Sequence, residues 1–348
     1  MYRGVIYALG SAVLFGMSIP LAKLLVGVVS PLLLAGLLYA GAGLGLLLVL
    51  GVRRRWTHQG TAANLPRPGE WRWLAAAIFF GGLAGPVALM YGLVTTAAST
   101  ASLMLNLEAV FTALFAWFVF RENFDRRVGL GMLAIVSGGL LLAWTPGESG
   151  QASLGSLLIA LACICWALDN NLTRKVAASD AVAIAGIKGL IAGAVSLSLA
   201  LLLGDTLPAM RVIGAAAVVG FLGYGVSLVL FVLALRHLGS ARTGAYFSVA
   251  PFFGAALAFL LQGEAVTWQL IVAGVLMALG VWLHLTEHHS HRHQHEQQEH
   301  SHPHTHDEHH RHTHDGWDGS EPHTHFHTHV PLVHSHVHYP DMHHRHPH

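Results

Sequence analysis

AVFTALFAWFVFRE, residues 109–122, and PFFGAALAFLLQGE, residues 251–264, align end to end without a gap, each an aromatic and small-residue run closing on a glutamate. A run of this length with almost no charge reads as helix in lipid, and its recurrence 142 positions later reads as two copies of one unit. The start of the chain repeats the signal. GVIYALGSAVLFGMSIPLAKL, residues 4–24, matches GSLLIALACICWALDNNLTRK, residues 155–175, pairing Phe15 with Trp166 and Lys23 with Arg174.

Working outward, ten apolar segments approach the length needed to cross a ~30 Å hydrocarbon layer at ~1.5 Å per residue. They run over residues 4–26, 31–52, 73–94, 97–120, 128–145, 153–175, 181–203, 212–235, 241–262 and 267–286. Composition agrees: 53% of the 348 residues are hydrophobic and 11% charged, more apolar chain than a water-soluble core uses. The first span follows one basic residue, Arg3, and outruns a signal-peptide core, so it reads as an uncleaved helix. Cys163 and Cys165, two positions apart in the sixth span, point to different helix faces and read as packing residues.

Five spans per copy is an odd number, so the second copy is inverted in the membrane. The expected class is all-α integral membrane: ten transmembrane helices as two inverted five-helix repeats, 4–145 and 153–286, with a tail over 287–348. Lys and Arg in short loops resist translocation. A cytoplasmic N-terminus collects Arg3, Arg53, Arg54, Arg55, Arg67, Arg72, Arg121, Arg126, Arg127, Arg174, Lys175, Arg236 and Arg242 on one side and leaves Arg211 on the other. That arrangement places the tail in the cytoplasm and the body in a bacterial-type inner membrane.

The stretches LFGMSIPLAKLL and TTAASTASLMLNLEAVFTALFAWFVFRE, with their echoes CWALDNNLTRK and GSARTGAYFSVAPFFGAALAFLLQGE, resemble the paired EamA repeats of the drug/metabolite transporter superfamily. The resemblance covers residues 4–285 and implies a secondary transporter of a small solute, and no enzyme. Its cargo class is open, because that superfamily carries chemically diverse solutes. One departure is that Ala109, preceded by Glu108, stands where the fourth span usually has proline, while the ninth keeps Pro251.

Ionisable groups inside lipid are costly and mark pathways or pairs. Lys188 lies ~10 Å into the seventh span and Asp169 ~9 Å from the same end of the sixth. Antiparallel neighbours joined by a short loop bring these two to matched depth, where they pair. Glu108 falls near the middle of the fourth span with no basic residue at its level, and reads as a proton-coupling or cation-binding group, or as a hydrogen-bonded packing residue. On a continuous helix Asn106 and Glu108 stand about 200° apart. Asn106 then aligns with Ser102, and Glu108 with Thr112. Asn170, Asn171, Tyr91, Tyr224, Tyr246 and Trp166 are further candidates for a solute cavity or for interhelical contacts, and Pro20, Pro86 and Pro251 free backbone carbonyls within or near spans.

From Glu287 onward the chain changes character, with 24 of the 27 histidines in its last 62 residues. So few apolar residues bury no core, and the tail is expected to be disordered without a ligand. The recurring His-x-His spacing supplies imidazoles suited to Zn²⁺, Ni²⁺, Co²⁺ or Cu²⁺. The expected ligands are His288, His289, His291, His293, His295, His300, His302, His304, His306, His309, His310, His312, His314, His323, His325, His327, His329, His334, His336 and His338. A second reading is electrostatic: nine acidic residues and three arginines give the tail a charge of −6, rising toward +18 if all 24 histidines protonate, so acidification would press it onto anionic lipid.

No phosphate-cradling Gly-rich loop with Lys and Ser or Thr occurs, so an ion gradient or the cargo's own gradient drives transport. Two functions stay open. One is export of a metabolite-type solute with a metal-binding tail. The other is export of a divalent transition metal (Ni, Co or Zn), for which the spans hold few ligands: Glu108, Asp169 and the two cysteines, with His237 assigned to a loop and His284 to the end of the last span. A membrane-tethered metal store would leave both repeats unexplained. No cofactor is required; the expected partners are the lipid bilayer, a small solute, transition-metal ions and a second copy in a homodimer, with no nucleic acid.

Overall fold

The computed structural model describes residues 2–56, 65–120, 126–144, 153–176 and 179–286 of the body, and 290–295, 298–304, 323–329 and 332–337 of the tail. The body is all-helical. Helices α1 (Tyr2–Val26) and α2 (Pro31–Trp56) form the first two spans. The third is composite: α3 (Trp71–Ala77), a π-helical turn over Ile78–Ala84, then α4 (Gly85–Thr95). Helices α5 (Ala98–Met104) and α6 (Leu107–Phe120) make the fourth, α7 (Arg126–Ala143) the fifth, α8 (Leu154–Thr173) the sixth and α9 (Ala181–Leu202) the seventh. Next come α10 (Met210–Gly220), a second π-helical turn over Phe221–Val226, α11 (Ser227–Phe247), α12 (Ala250–Gln262) and α13 (Trp268–Leu285). Eight of these spans are long and apolar enough to cross a bilayer, and α12 and α13 are shorter apolar helices.

Two boundaries differ from expectation. The stretch around 236–240, read as a loop carrying His237, is helical within α11. The fourth span, read as continuous over 97–120, breaks at Leu105 and Asn106, and the ninth breaks at Ser248 and Val249. The 142-residue offset that relates Glu122 to Glu264 also carries Asn106 to Ser248 and Ala84 to Val226, so both breaks and both π-turns are features of the repeat. Pro251 follows the second break, whereas the first has no proline. There the Asn106 amide donates to the Leu103 carbonyl at 3.0 Å, and tight three-residue backbone bonds replace the α pattern, Asn106 N to Leu103 O and Glu108 N to Leu105 O. A short polar side chain that competes for helical carbonyls ends the helix in proline's stead.

The two repeats meet where α2 packs on α9. Glycines permit the approach. A Cβ at Gly43 would lie 2.5 Å from the Leu190 nitrogen, and one at Gly193 would lie 2.5 Å from the Ala40 nitrogen. Lipid supplies little hydrophobic drive between helices, so such small-residue seams are what hold them together. At one end of this seam Asp180 caps α9, accepting from Val182 N at 2.9 Å and Ala183 N at 3.2 Å, and pairs with Arg53 of α2 at 2.6 Å. Burial opposes ionisation there, but the Arg53 guanidinium and the two amides outweigh it and hold the Asp180 carboxyl below its ordinary pKa. At the opposite side of the body Glu264 closes a different contact between repeats, accepting from Ala98 N at 2.7 Å and Ser99 N at 2.9 Å and so satisfying the open N-terminus of α5.

The tail forms a separate unit, 288–339. Among its described residues β1 (Ser290–His295) pairs antiparallel with β4 (Leu332–Val337), and β2 (Gln298–His304) with β3 (His323–His329). A His-x-His alternation has the period of a strand, which places successive histidines on one face. The register sets His291 opposite His336, His293 opposite His334, His300 opposite His327, His302 opposite His325 and His304 opposite His323.

Candidate functional site

A cavity of about 80 Å³ opens inside the body where the repeats face each other, with walls from both. Three polar groups anchor it. Lys188 of α9, 2% exposed, reaches both carboxylate oxygens of Asp169 on α8 at 2.6 Å, and Thr173 donates to the same carboxylate at 2.9 Å. The pairing expected from matched depth is therefore present. Glu108 lies in the first turn of α6, where the break in the fourth span opens a helix N-terminus toward a carboxylate. Its Oε1 accepts from the Asn170 amide at 2.7 Å.

The third element is backbone. In the π-turn, Gly85 N bonds to Phe80 O five residues back. The same register would have the nitrogen of Pro86 donate to Gly81 O, and that nitrogen carries no hydrogen. The freed Gly81 carbonyl instead accepts from the Tyr39 hydroxyl at 2.6 Å and from the Trp166 indole at 3.2 Å. Proline and a widened turn thus turn one backbone oxygen into a cross-link among the third span, α2 and α8. Asp169 packs directly on Gly81, where a Cβ would overlap its carboxylate.

The remaining wall is aromatic. Phe15 sits at its hub, edge-on to Trp166 at 5.6 Å and to Tyr224 at 6.0 Å, and tilted against Phe247 at 5.4 Å. Tyr39 meets Tyr224 at 5.4 Å and Phe231 meets Phe247 at 5.0 Å. Ser11 and Ser227 exchange hydrogen bonds with each other's carbonyls, at 2.8 and 3.1 Å, closing α1 on α11.

Of the residues singled out from sequence, the cavity gathers Glu108, Trp166, Asp169, Asn170, Lys188 and Tyr224. It does not gather the others. Tyr91 is 46% exposed on α4, Tyr246 packs beside Ala8, Ala234 and Leu238, and Asn171 bonds back to Ala167 O. Asn106, 1% exposed, lies at the break, with Met277 Sδ 3.7 Å from its amide nitrogen, and its side-chain oxygen has no partner. The angular argument that paired it with Ser102 assumed a continuous helix, and the break removes that premise. Phe15, Tyr39, Gly81, Phe231 and Phe247 were not singled out, since aromatics and glycines are common in every span. Among the described residues no group of three or more His, Cys, Asp or Glu converges. His288, His289, His306, His309, His310, His312, His314 and His338 lie outside the described residues, as do Arg121 and Glu122.

Two inverted helical repeats enclosing a cavity that holds ionisable groups define a membrane carrier. The comparisons place it: the EamA-like transporter family matches residues 2–144 and again 153–286, and the chain belongs to that family. It is 28% identical over 294 residues to an uncharacterized transporter of Methanothermobacter thermautotrophicus, covering 80% of this chain and 85% of the relative. It is 24% identical over 292 residues to the uncharacterized transporter YyaM of Bacillus subtilis, covering 79% and 93%. A probable 4-amino-4-deoxy-L-arabinose-phosphoundecaprenol flippase subunit, ArnE, of Pseudomonas fluorescens is 38% identical over 88 residues, 25% of this chain and 75% of its own length. A solved crystal structure shares the fold at a TM-score of 0.61 and 20% identity, covering 80% of this chain and 94% of that one.

Proposed function

We propose that the protein is a secondary carrier that exports a small metabolite-type solute through this cavity, with Glu108 exchanging a proton or cation during the cycle. The observation that carries the reading is the position of Glu108, lining the cavity between repeats in the first turn of a broken helix, where transporters place the groups that meet cargo and coupling ion. The Asp169–Lys188 pair contributes by holding α8 to α9 beside it. The loop charges support an inner-membrane orientation with the N-terminus and the tail in the cytoplasm.

The tail, on this proposal, binds Zn²⁺, Ni²⁺, Co²⁺ or Cu²⁺. The density of histidine supports this, 24 in the last 62 residues, set opposite one another in pairs along the described strands. A metal-exporting body is the weaker reading, because the described residues of the body bring no three metal-binding side chains together.

The test uses proteoliposomes loaded with a pH-sensitive dye. A panel of amines, amino acids and nucleosides, and separately Ni²⁺, Co²⁺ and Zn²⁺, is offered to the full chain, to a chain ended at Thr286 and to Glu108→Gln. The expected outcome is saturable proton movement driven by an organic solute, retained without the tail and lost in Glu108→Gln. Flux in Glu108→Gln with unchanged pH dependence refutes the coupling role. Saturable metal flux that survives truncation refutes the metabolite reading.

A further inference from the structure

We infer that the cargo is a small organic cation, an amine or quaternary ammonium compound, whose charge is met by the Glu108 carboxylate and whose apolar groups are met by the ring faces of Phe15, Trp166 and Tyr224. The inference rests on the carrier reading above and concerns the same cavity.

Charge balance is the first support. Lys188 is the basic side chain on the cavity wall, and both oxygens of Asp169 hold its ammonium group at 2.6 Å, so that pair cancels itself. Glu108 is held by a neutral amide, that of Asn170, and the ion pairs found among the described residues do not include it. When Glu108 is ionised, its charge is the one on this largely apolar wall that no cationic side chain is seen to pair with among the described residues. An anionic cargo would meet that carboxylate together with the negative faces of the surrounding rings.

The hydrogen-bonding inventory is the second support, and it disfavours a sugar-like or other neutral polar cargo. Such a solute needs several donors and acceptors on the wall, and four of the hydroxyl and N–H donors present are already engaged within the protein. Tyr39 and Trp166 both donate to Gly81 O, and Ser11 and Ser227 bond to each other's carbonyls. The Tyr224 hydroxyl, among the described residues, is the phenol here without a partner. A substituted ammonium group asks for little of this: it takes one counter-charge and wraps its carbons in aromatic surface. The edge-on packing of Phe15 against Trp166 and Tyr224 turns ring faces in different directions around one space. The cavity volume, about 80 Å³, suits a small molecule.

The experiment titrates the full-length protein in lipid nanodiscs with three probes of one shape: choline, its neutral isostere with a tert-butyl group in place of trimethylammonium, and the tert-butylacetate anion. Binding is read by calorimetry, and flux of each probe is read separately in proteoliposomes. Choline should bind about 30-fold or more tightly than the neutral isostere, the size of a desolvated cation–aromatic preference, with no binding of the anion. Glu108→Gln, which is isosteric and keeps the Asn170 contact, and Phe15→Leu, which keeps the bulk, should each erase most of that preference while the protein stays monodisperse. Equal or tighter binding of the neutral or anionic probe, or no binding of choline, overturns the cation assignment. Choline bound with selectivity but never transported would refute the carrier reading and leave the cation site standing, whereas flux of the neutral probe alone would do the reverse.

Discussion

Lys188→Met is the perturbation whose outcome the structure constrains most closely. The substitution keeps an unbranched side chain one atom shorter and removes its charge, leaving Asp169, 8% exposed, with the Thr173 hydroxyl as its remaining side-chain donor among the described residues. Breaking a buried pair from one side costs about 3–5 kcal/mol, because it strands the other charge. The expected loss is therefore about 3–5 kcal/mol. Asp169→Asn is the right partner substitution. Asp169 packs against Gly81 so closely that nothing wider fits, and asparagine preserves its outline and an acceptor for Thr173. The double variant, with both charges gone, should recover more than half of the loss, since a neutral pair of similar volume carries no desolvation penalty. Cys163 and Cys165, both buried on α8, supply the assay. Their reaction with a thiol-specific fluorophore during heating or SDS titration reports the opening of the helix that carries Asp169. A loss under about 1 kcal/mol for Lys188→Met, or additive effects in the double variant, would refute the claim that these charges depend on each other.

Other consequences follow from single contacts. A Cβ at Gly220 would overlap the Leu38 carbonyl, and one at Gly16 the Ala250 carbonyl, both backbone atoms between packed helices, while Gly214 has nothing within 4 Å. Gly220→Ala and Gly16→Ala should each lose about 1–3 kcal/mol or fail to fold, with Gly214→Ala unchanged in thermal unfolding. Asn106→Leu removes a buried oxygen that has no partner, so unfolding should occur at the same or a higher temperature, while flux falls because the break in the fourth span loses the side chain that holds it open. Asp180→Ala removes a helix cap and should cost about 1 kcal/mol, with its partly exposed ion pair adding little. Because the Asp180 pKa lies lower in the folded protein, its contribution is complete above the ordinary carboxylate range and disappears as the pH falls through the lowered value. Wild type and Asp180→Ala should thus converge in stability only in strong acid, once the pH is below the lowered value, and a difference that persists there would sink the assignment.

The sequence made some of this legible and hid the rest for physical reasons. Charges stand out against lipid-soluble chain, so Glu108, Asp169 and Lys188 could be found, and depth along two antiparallel helices was enough to pair the last two. Aromatic residues do not stand out. Tyr91 and Tyr224 look alike in their spans, and one is 46% exposed on the outside while the other lines the cavity. A helix that is apolar all round carries no angular signal of which side faces its neighbours. Phe15 and Phe247 were hidden for the same reason. The π-turns were hidden more deeply, since Gly81, Gly82 and Pro86 are ordinary in a membrane helix, and only the freed Gly81 carbonyl with its two donors shows what they do together.

The breaks in the fourth and ninth spans carry the argument about asymmetry further. They fall at equivalent positions although one copy has Pro251 and the other Ala109, so proline is not what sets them. In the first repeat a side-chain amide does the work, through Asn106 and the Leu103 carbonyl. The architecture therefore tolerates different chemistry at the same bend, and the residues just beyond each bend were free to diverge. The 142-residue offset carries Glu108 to Ala250, whose carbonyl faces Gly16 of α1 at a contact too close for any side chain. One broken helix thus presents a carboxylate to the cavity, and its counterpart presents backbone packed against backbone. The inverted repeats supply two similar bends, but the ionisable group stands at only one of them, so an ion-coupled step at these bends belongs to the first repeat alone.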